Sequence, residues 1–149
     1  MKILIIGGNR FFGLRLAKLL LADGHEVTLL NRGNLDDGLG DAVVRLRADR
    51  SDADSLTRVT QGLRWDLVYD QVCYNAAEAR LACKVFADKT PRYVVTSTES
   101  VYDFAPGQRE ERFNAKEYAF DPSHETQPHL NYQMAKRQME AVFARGPFA

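Results

Sequence analysis

Cysteine is nearly missing from this sequence, neither sign of charge is in excess, and no hydrophobic run is long. Cys73 and Cys83 are the only two cysteines in 149 residues, and neither has a partner at metal-ligand spacing, so no metal centre is predicted. Both read as small buried hydrophobes of a reducing compartment. Twenty basic and twenty acidic side chains cancel, so no summed field draws the chain to nucleic acid or to an anionic membrane. The N-terminal apolar run covers only Ile3 to Ile6, too short for a signal peptide or a membrane span. The default location is therefore the cytoplasm.

What is present is a core-forming composition. With 45% hydrophobic residues, a chain of this length buries roughly two-thirds of its unfolded surface, and one domain over 1–149 is predicted. Lys2 to Ile6 suits a strand buried on both faces. Leu16, Leu19 and Leu20 then recur at helical spacing as far as Asp23-Gly24, where glycine offers a cap. Strands follow at Val27 to Leu30 and Val43 to Leu46, separated by the loop NRGNLDDGLGD. After a cap at Ser51 or Asp52, Leu56, Val59 and Leu63 mark a second helix. Leu67 to Tyr69 begins a fourth strand, Asn75 to Ala87 a helix, and Tyr93 to Thr96 a fifth strand. Trp65, Tyr69 and Tyr74 read as packing around the fourth strand. Alternation of this kind predicts an α/β fold with a parallel sheet and right-handed crossovers. From Asp103 to His129 the pattern lapses into a polar stretch, a functional loop or disorder. Within it His124 and His129 read as solvated, as does the charge run Glu110-Glu111-Arg112, and His25 reads as a turn residue. Ala135, Met139, Val142 and Phe143 draw the stripe of a last helix that runs out at Gly146-Pro147.

GGNRFFG follows the first strand directly. In a dinucleotide-binding turn the first glycine makes the bend, the second admits the pyrophosphate, and the third packs helix on strand. Gly7 and Gly13 fill the outer roles, and Arg10 stands in the middle one. Backbone donors at Phe11, Phe12 and Gly13 would face the anion at the helix N-terminus. At the end of the second strand, where a carboxylate usually takes the ribose hydroxyls of NAD, the residues are Asn31 and Arg32. Guanidinium pairs with phosphate in a bidentate fork, so Arg10 and Arg32 together favour NADP over NAD; the bland reading leaves Arg10 solvated. In YQMAK, Tyr132 and Lys136 stand four apart on one helical face. A cation beside a phenol favours phenolate, the form that takes a proton. Thr98 lies past the fifth strand, at the sheet end where ligands bind in an open parallel sheet.

Together GGNRFFG, Asp49, STESVY and YQMAK, spread from Met1 to about Phe143, resemble the extended short-chain dehydrogenase/reductases, the NAD-dependent epimerase/dehydratase family. That resemblance implies a Rossmann-type doubly wound parallel sheet of about five strands holding NAD(P). It further implies that Thr98 orients the substrate oxygen, that Tyr132 is the acid/base, and that Lys136 holds the nicotinamide ribose and tunes Tyr132. Asp49 would touch the adenine amino group, or else serve as a loop or capping residue. The implied substrate is a hydroxyl or keto carbon, of a nucleotide sugar for instance.

The departures are informative. Arg10 and the segment Asp70-Gln71-Val72-Cys73-Tyr74 resemble an atypical branch with a GG-x-R-F-x-G turn, which includes the chloroplast stem-loop-binding proteins. Glu99 and Ser100 follow Thr98 where sugar-nucleotide dehydratases carry Asp-Glu, which disfavours dehydration and leaves epimerisation or ketone reduction. Extended members continue into a sixth strand and a C-terminal substrate domain that this sequence lacks. The expectation is accordingly the N-terminal portion of a longer protein, or a chain whose exposed fifth strand shares a sheet with a partner, as in a homodimer. The alternative is a non-catalytic NADP-binding or RNA-binding module on the same fold, with the cancelled charge arguing against RNA.

Overall fold

The computed structural model describes residues 1–119, 121 and 131–148. His124 and His129 lie outside the described residues. The main elements run β1 Lys2–Ile6, α1 Phe11–Ala22, β2 Glu26–Asn31, β3 Val44–Arg47, α2 Ala53–Val59, β4 Leu67–Asp70, α3 Ala76–Phe86, β5 Tyr93–Val95 and α4 Tyr132–Ala144. The five strands form one sheet in the order β3-β2-β1-β4-β5, and every pairing is parallel. This is the predicted Rossmann-type, doubly wound order: the chain winds outward from β1 through β3, then returns to β4 on the other side of β1. No helix among the described residues is long and apolar enough to cross a membrane.

The chain forms two compact units. One comprises Met1–Val72, Val85–Thr96 and Phe148–Ala149; the other comprises Cys73–Lys84 and Ser97–Pro147. In the first, β1 is central, so its residues are walled in on both faces and the run Ile3 to Ile6 is fully buried. Ile3 and Ile5 join Ala17, Val27, Leu29, Val43 and Leu67 in one core cluster, against which Leu16, Leu20, Leu21 and Tyr69 pack. Each Val, Leu or Ile among them contributes about 1.5–3 kcal/mol when fully buried. Leu19, expected on this stripe, is exposed; with 3.6 residues per turn, the inward face of α1 runs through Leu16, Ala17, Leu20 and Leu21 instead. The second helix also stops short of Leu63. Thr60 ends it by donating its hydroxyl to the Leu56 carbonyl at 2.9 Å, and Gly62 turns away at φ 72°.

A polar network is set into this apolar unit. Asp70, the last residue of β4, has no solvent exposure, yet its carboxylate is paired on several sides. Oδ2 takes hydrogen bonds from the Arg50 guanidinium and from the Tyr93 hydroxyl at 2.8 Å, while Oδ1 accepts the Val72 N–H at 3.0 Å. Tyr93 also stacks on Phe148 at 4.8 Å and lies 5.8 Å from Phe86, which meets Trp65 edge-on at 6.3 Å. Removing one partner of a buried ion pair strands the other charge. Asp70→Ala is therefore expected to cost about 3–5 kcal/mol in a urea melt, whereas Arg50→Met combined with Asp70→Leu recovers most of that loss. Recovery stays short of complete by about 1 kcal/mol, since the Tyr93 hydroxyl loses its acceptor.

Candidate functional site

The glycine-rich turn of the first unit begins where β1 ends. Gly7 has φ 82° and donates its N–H to the Leu30 carbonyl at 2.9 Å. A Cβ there would stand 2.7 Å from Val72 Cγ1, so both conformation and space demand glycine. Gly13 packs the helix in: a Cβ would meet the Gly7 carbonyl oxygen at 3.2 Å and Gln71 Cγ at 3.5 Å. Val72 itself is fixed by Asp70. The crevice beyond β1 and β4, where the strand order reverses, is thus braced by the buried network.

Arg10, in the middle glycine's place, has φ −143° and ψ 161°, an extended conformation open to any residue. The turn therefore has no need of glycine at this position, and the arginine side chain stands exposed. The left-handed conformation falls one residue later, on Phe11 at φ 47°, whose side chain is 85% exposed. No side chain caps α1, and its first turn carries no acidic residue. The amides of Phe11, Phe12 and Gly13 are of the kind that bind an anion at a helix start.

At the far end of β2, Asn31 accepts the Gly33 N–H on its side-chain oxygen at 2.8 Å, forming an Asx turn. Arg32 is exposed. Asp49 accepts the Ser51 hydroxyl at 2.6 Å and the Ser51 N–H at 2.9 Å. Those two bonds hold its carboxyl below the usual carboxylate range against the opposing effect of burial, and the nearby charges of Arg32 and Arg50 add to the lowering. The loop-capping reading of Asp49 is thus realised, with one carboxylate oxygen engaged by Ser51. The long loop that follows Arg32 is held by buried Asp37, which pairs with Arg45 at 2.7 Å and accepts the Leu39 N–H at 3.0 Å. Burial alone would raise Asp37, but the Leu39 N–H together with the hydrogen bond and charge of Arg45 hold it low.

The second unit carries Thr98, Tyr132 and Lys136. Thr98 caps the one-turn 3-10 segment Glu99–Val101 by accepting the Ser100 N–H. Tyr132 opens α4 behind the cap Asn131, which accepts the Met134 N–H at 3.1 Å, and its side chain is 44% exposed. Lys136, one turn on, is 2% exposed. Its Nζ donates to the Cys73 carbonyl at 2.9 Å and sits 5.8 Å from the centre of the Tyr74 ring. Tyr74 is half-exposed, so it serves as a platform for this cation rather than as strand packing. The Cys83 thiol is pushed up by burial, its backbone hydrogen bond opposing in part, away from the reactive thiolate.

Sequence reading did not find the bonds that fix α4. Gln133 donates to the Tyr102 carbonyl at 2.8 Å, Arg137 to the Val101 carbonyl and to Asp103 at 2.8 Å, and Ser97 to Glu140. Gln133 and Arg137 stand four apart, as do Lys136 and Glu140, which is the available signal in YQMAKRQME. The described first part of the polar stretch, residues 103–119, is tied down as well. Arg137 lies 5.5 Å from the Phe113 ring, Phe113 meets Tyr118 edge-on, and Arg145 donates to the Lys116 and Tyr118 carbonyls. Among the described residues no cluster of three or more His, Cys, Asp or Glu is arranged to hold a metal ion.

The NAD dependent epimerase/dehydratase family model matches residues 3–145. A chloroplast stem-loop binding protein of 41 kDa from Arabidopsis thaliana is 31% identical over 131 residues, covering 77% of this chain and 34% of its own. The 2'-dehydrokanamycin reductase of Streptomyces kanamyceticus is 30% identical over 98 residues, 66% of this chain and 28% of its own. The chain thus spans about a third of the curated relatives it matches. In structure it resembles the Bordetella bronchiseptica enzyme WbmG in complex with NAD, with TM-score 0.76 and 17% identity over 99% of this chain and 50% of that one. The Thermus thermophilus UDP-glucose 4-epimerase complex with NAD follows at TM-score 0.72 and 18% identity, covering 97% and 50%. At such identities these solved structures share the fold.

The lowered carboxyls of Asp37 and Asp49 give a pH dependence of stability. Their contribution is fully present above the unfolded carboxylate value of about 4 and is lost as the pH falls through the lower folded values. Melting temperatures measured on the acid side should drop across that window, and Asp37→Asn or Asp49→Asn should flatten the drop.

Proposed function

Because the chain belongs to the NAD-dependent epimerase/dehydratase family, we propose that it forms the dinucleotide-binding and acid/base portion of an NAD(P)-dependent epimerase or reductase of the short-chain dehydrogenase/reductase type. Its substrate is a hydroxyl or keto carbon, best fitted to a nucleotide sugar. The observation that carries this reading is the uncapped, acid-free first turn of α1, in a turn opened by a glycine at φ 82° where any side chain would be strained and crowd Val72.

The dinucleotide, when bound, supplies a hydride acceptor and donor at its nicotinamide ring. The residues of the chain do the rest. Amides of Phe11, Phe12 and Gly13 bind the pyrophosphate. Arg10 and Arg32, with Asn31 in place of a carboxylate, favour a 2′-phosphate and hence NADP. Asp49 borders the adenine. Thr98 hydrogen-bonds the reacting oxygen, and Tyr132 takes the hydroxyl proton as the carbon is oxidised and returns it on reduction. Lys136 supplies positive charge that favours the phenolate, and it holds the ribose. Support for the acid/base half comes from the bonds of Gln133, Arg137 and Glu140, which fix α4 on the segment that carries Thr98. The Thermus thermophilus protein is a UDP-glucose 4-epimerase and WbmG also forms a complex with NAD and UDP, which favours a nucleotide-sugar substrate.

The 31% identity to a stem-loop binding protein favours a second reading, an RNA-binding module on this fold. Retention of stem-loop RNA on a filter that weakens with salt would support it, and absence of retention removes it.

Calorimetric titration tests the first reading. NADP is expected to bind more tightly than NAD, with Arg32→Ala and Arg10→Ala each lowering NADP affinity about tenfold; no binding of either nucleotide overturns the reading. With UDP-glucose as probe substrate, Tyr132→Phe should reduce kcat roughly 10²–10⁴-fold while leaving nucleotide affinity unchanged.

A further inference from the structure

Asn31 and Arg47 are register partners at the ends of β2 and β3. Arg45 and Arg47, two apart on one strand, project to the same face of the sheet, yet their fates differ. Arg45 is spent: it pairs with buried Asp37 and donates to the Gly40 carbonyl. The Arg47 side chain makes no hydrogen bond or ion pair among the described residues. Its stem lies over Gly33, where a Cβ would meet Arg47 Nε at 2.9 Å and Cδ at 3.1 Å. Gly33 has φ 75° and is held by the Asn31 side chain, so the turn that follows β2 forms the bed on which this guanidinium is laid. Both residues line a cleft of about 410 Å³ together with Asn31, Asp37 and Arg45.

We propose that Arg47 is a specificity-determining residue of this site, contributing a guanidinium to the phosphomonoester on the adenosine 2′-oxygen beside Asn31 and Arg32. This rests on the nucleotide reading above and adds a residue from the neighbouring strand. Three features carry it: the pairing of Arg47 with Asn31, the glycine bed under its stem, and the absence, among the described residues, of a carboxylate on its head. Asp36, Asp37 and Asp41 line the same cleft: Asp37 is neutralised by Arg45, Asp36 directs one oxygen to the Gly38 N–H at 3.0 Å, and Asp41 sits in the 3-10 turn Gly40–Ala42 and makes no ion pair with Arg47. Arg45 and Asp37 therefore act as a strut for the loop, which leaves Arg47 as the β3 cation available to a ligand.

The test compares adenosine 2′,5′-bisphosphate with 5′-AMP by calorimetry, using the wild-type chain and Arg47→Gln, which keeps most of the stem over Gly33 and removes the charge. The bisphosphate is expected to bind more tightly, and the variant to lose about tenfold in affinity for it. Affinity for 5′-AMP should change by less than about twofold, and Arg47→Lys should restore only part of the difference, since an ammonium lacks the planar fork. Inorganic phosphate should compete far more weakly than the bisphosphate. Equal loss for both nucleotides, or no loss for either, overturns the role of Arg47 while leaving the nucleotide site intact. Failure of both nucleotides to bind the wild-type chain overturns the site itself. An unchanged melting temperature in Arg47→Gln separates lost recognition from lost folding.

Discussion

A carboxylate with no access to water is the constraint on which the first unit depends. Asp70 ends β4 and gathers the Arg50 guanidinium, the Tyr93 hydroxyl and the Val72 amide. These groups come from the connection that follows β3, from β5 and from the exit of β4 itself. Burying a charge is tolerable only when it is paired and hydrogen-bonded, so the network forms completely or becomes a liability. Its geometric effect is to hold Val72 against Gly7, at the point where the strand order reverses.

The same contact explains how the turn accommodates an arginine. Glycine is demanded at Gly7 by space and by backbone conformation, and at Gly13 by the close approach of helix to turn. It is not demanded at Arg10, whose backbone is extended. The strained conformation moves to Phe11, and such positions persist only where their surroundings over-determine them. The turn thus carries an exposed arginine in place of a flexible middle residue without changing how the strand enters the helix.

Local periodicity made the strands legible. Lys2 to Ile6 matches β1 to the residue, and the remaining strands are displaced by about one residue because their ends are set by pairing partners rather than by composition. The candidate acid/base pair was legible as a spacing, Tyr132 to Lys136. Long-range polar pairing was not. Nothing in the sequence links Asp70 to Arg50 or to Tyr93, and Lys136 gives no sign that its ammonium is held by the Cys73 carbonyl. Leu19 looked like Leu16 and Leu20 because hydrophobicity does not reveal which side of the stripe a residue falls on. Asp49 looked like a ligand contact, and its bonds to Ser51 show it also finishing a loop.

β3 lies at the outer margin of the sheet, where one side of its backbone has no neighbouring strand among the described residues. Val44 on it is exposed, and such a margin is a template on which another chain can extend the sheet. Arginine at alternate positions is the usual deterrent, because adding a strand would bury or crowd those charges. Arg45 and Arg47 therefore place two charges along the margin of the sheet, one of them held by Asp37, where a further strand would have to pair. Replacing these cations by apolar residues would leave exposed Val44 in an uncharged edge strand, the kind of margin that recruits a second strand.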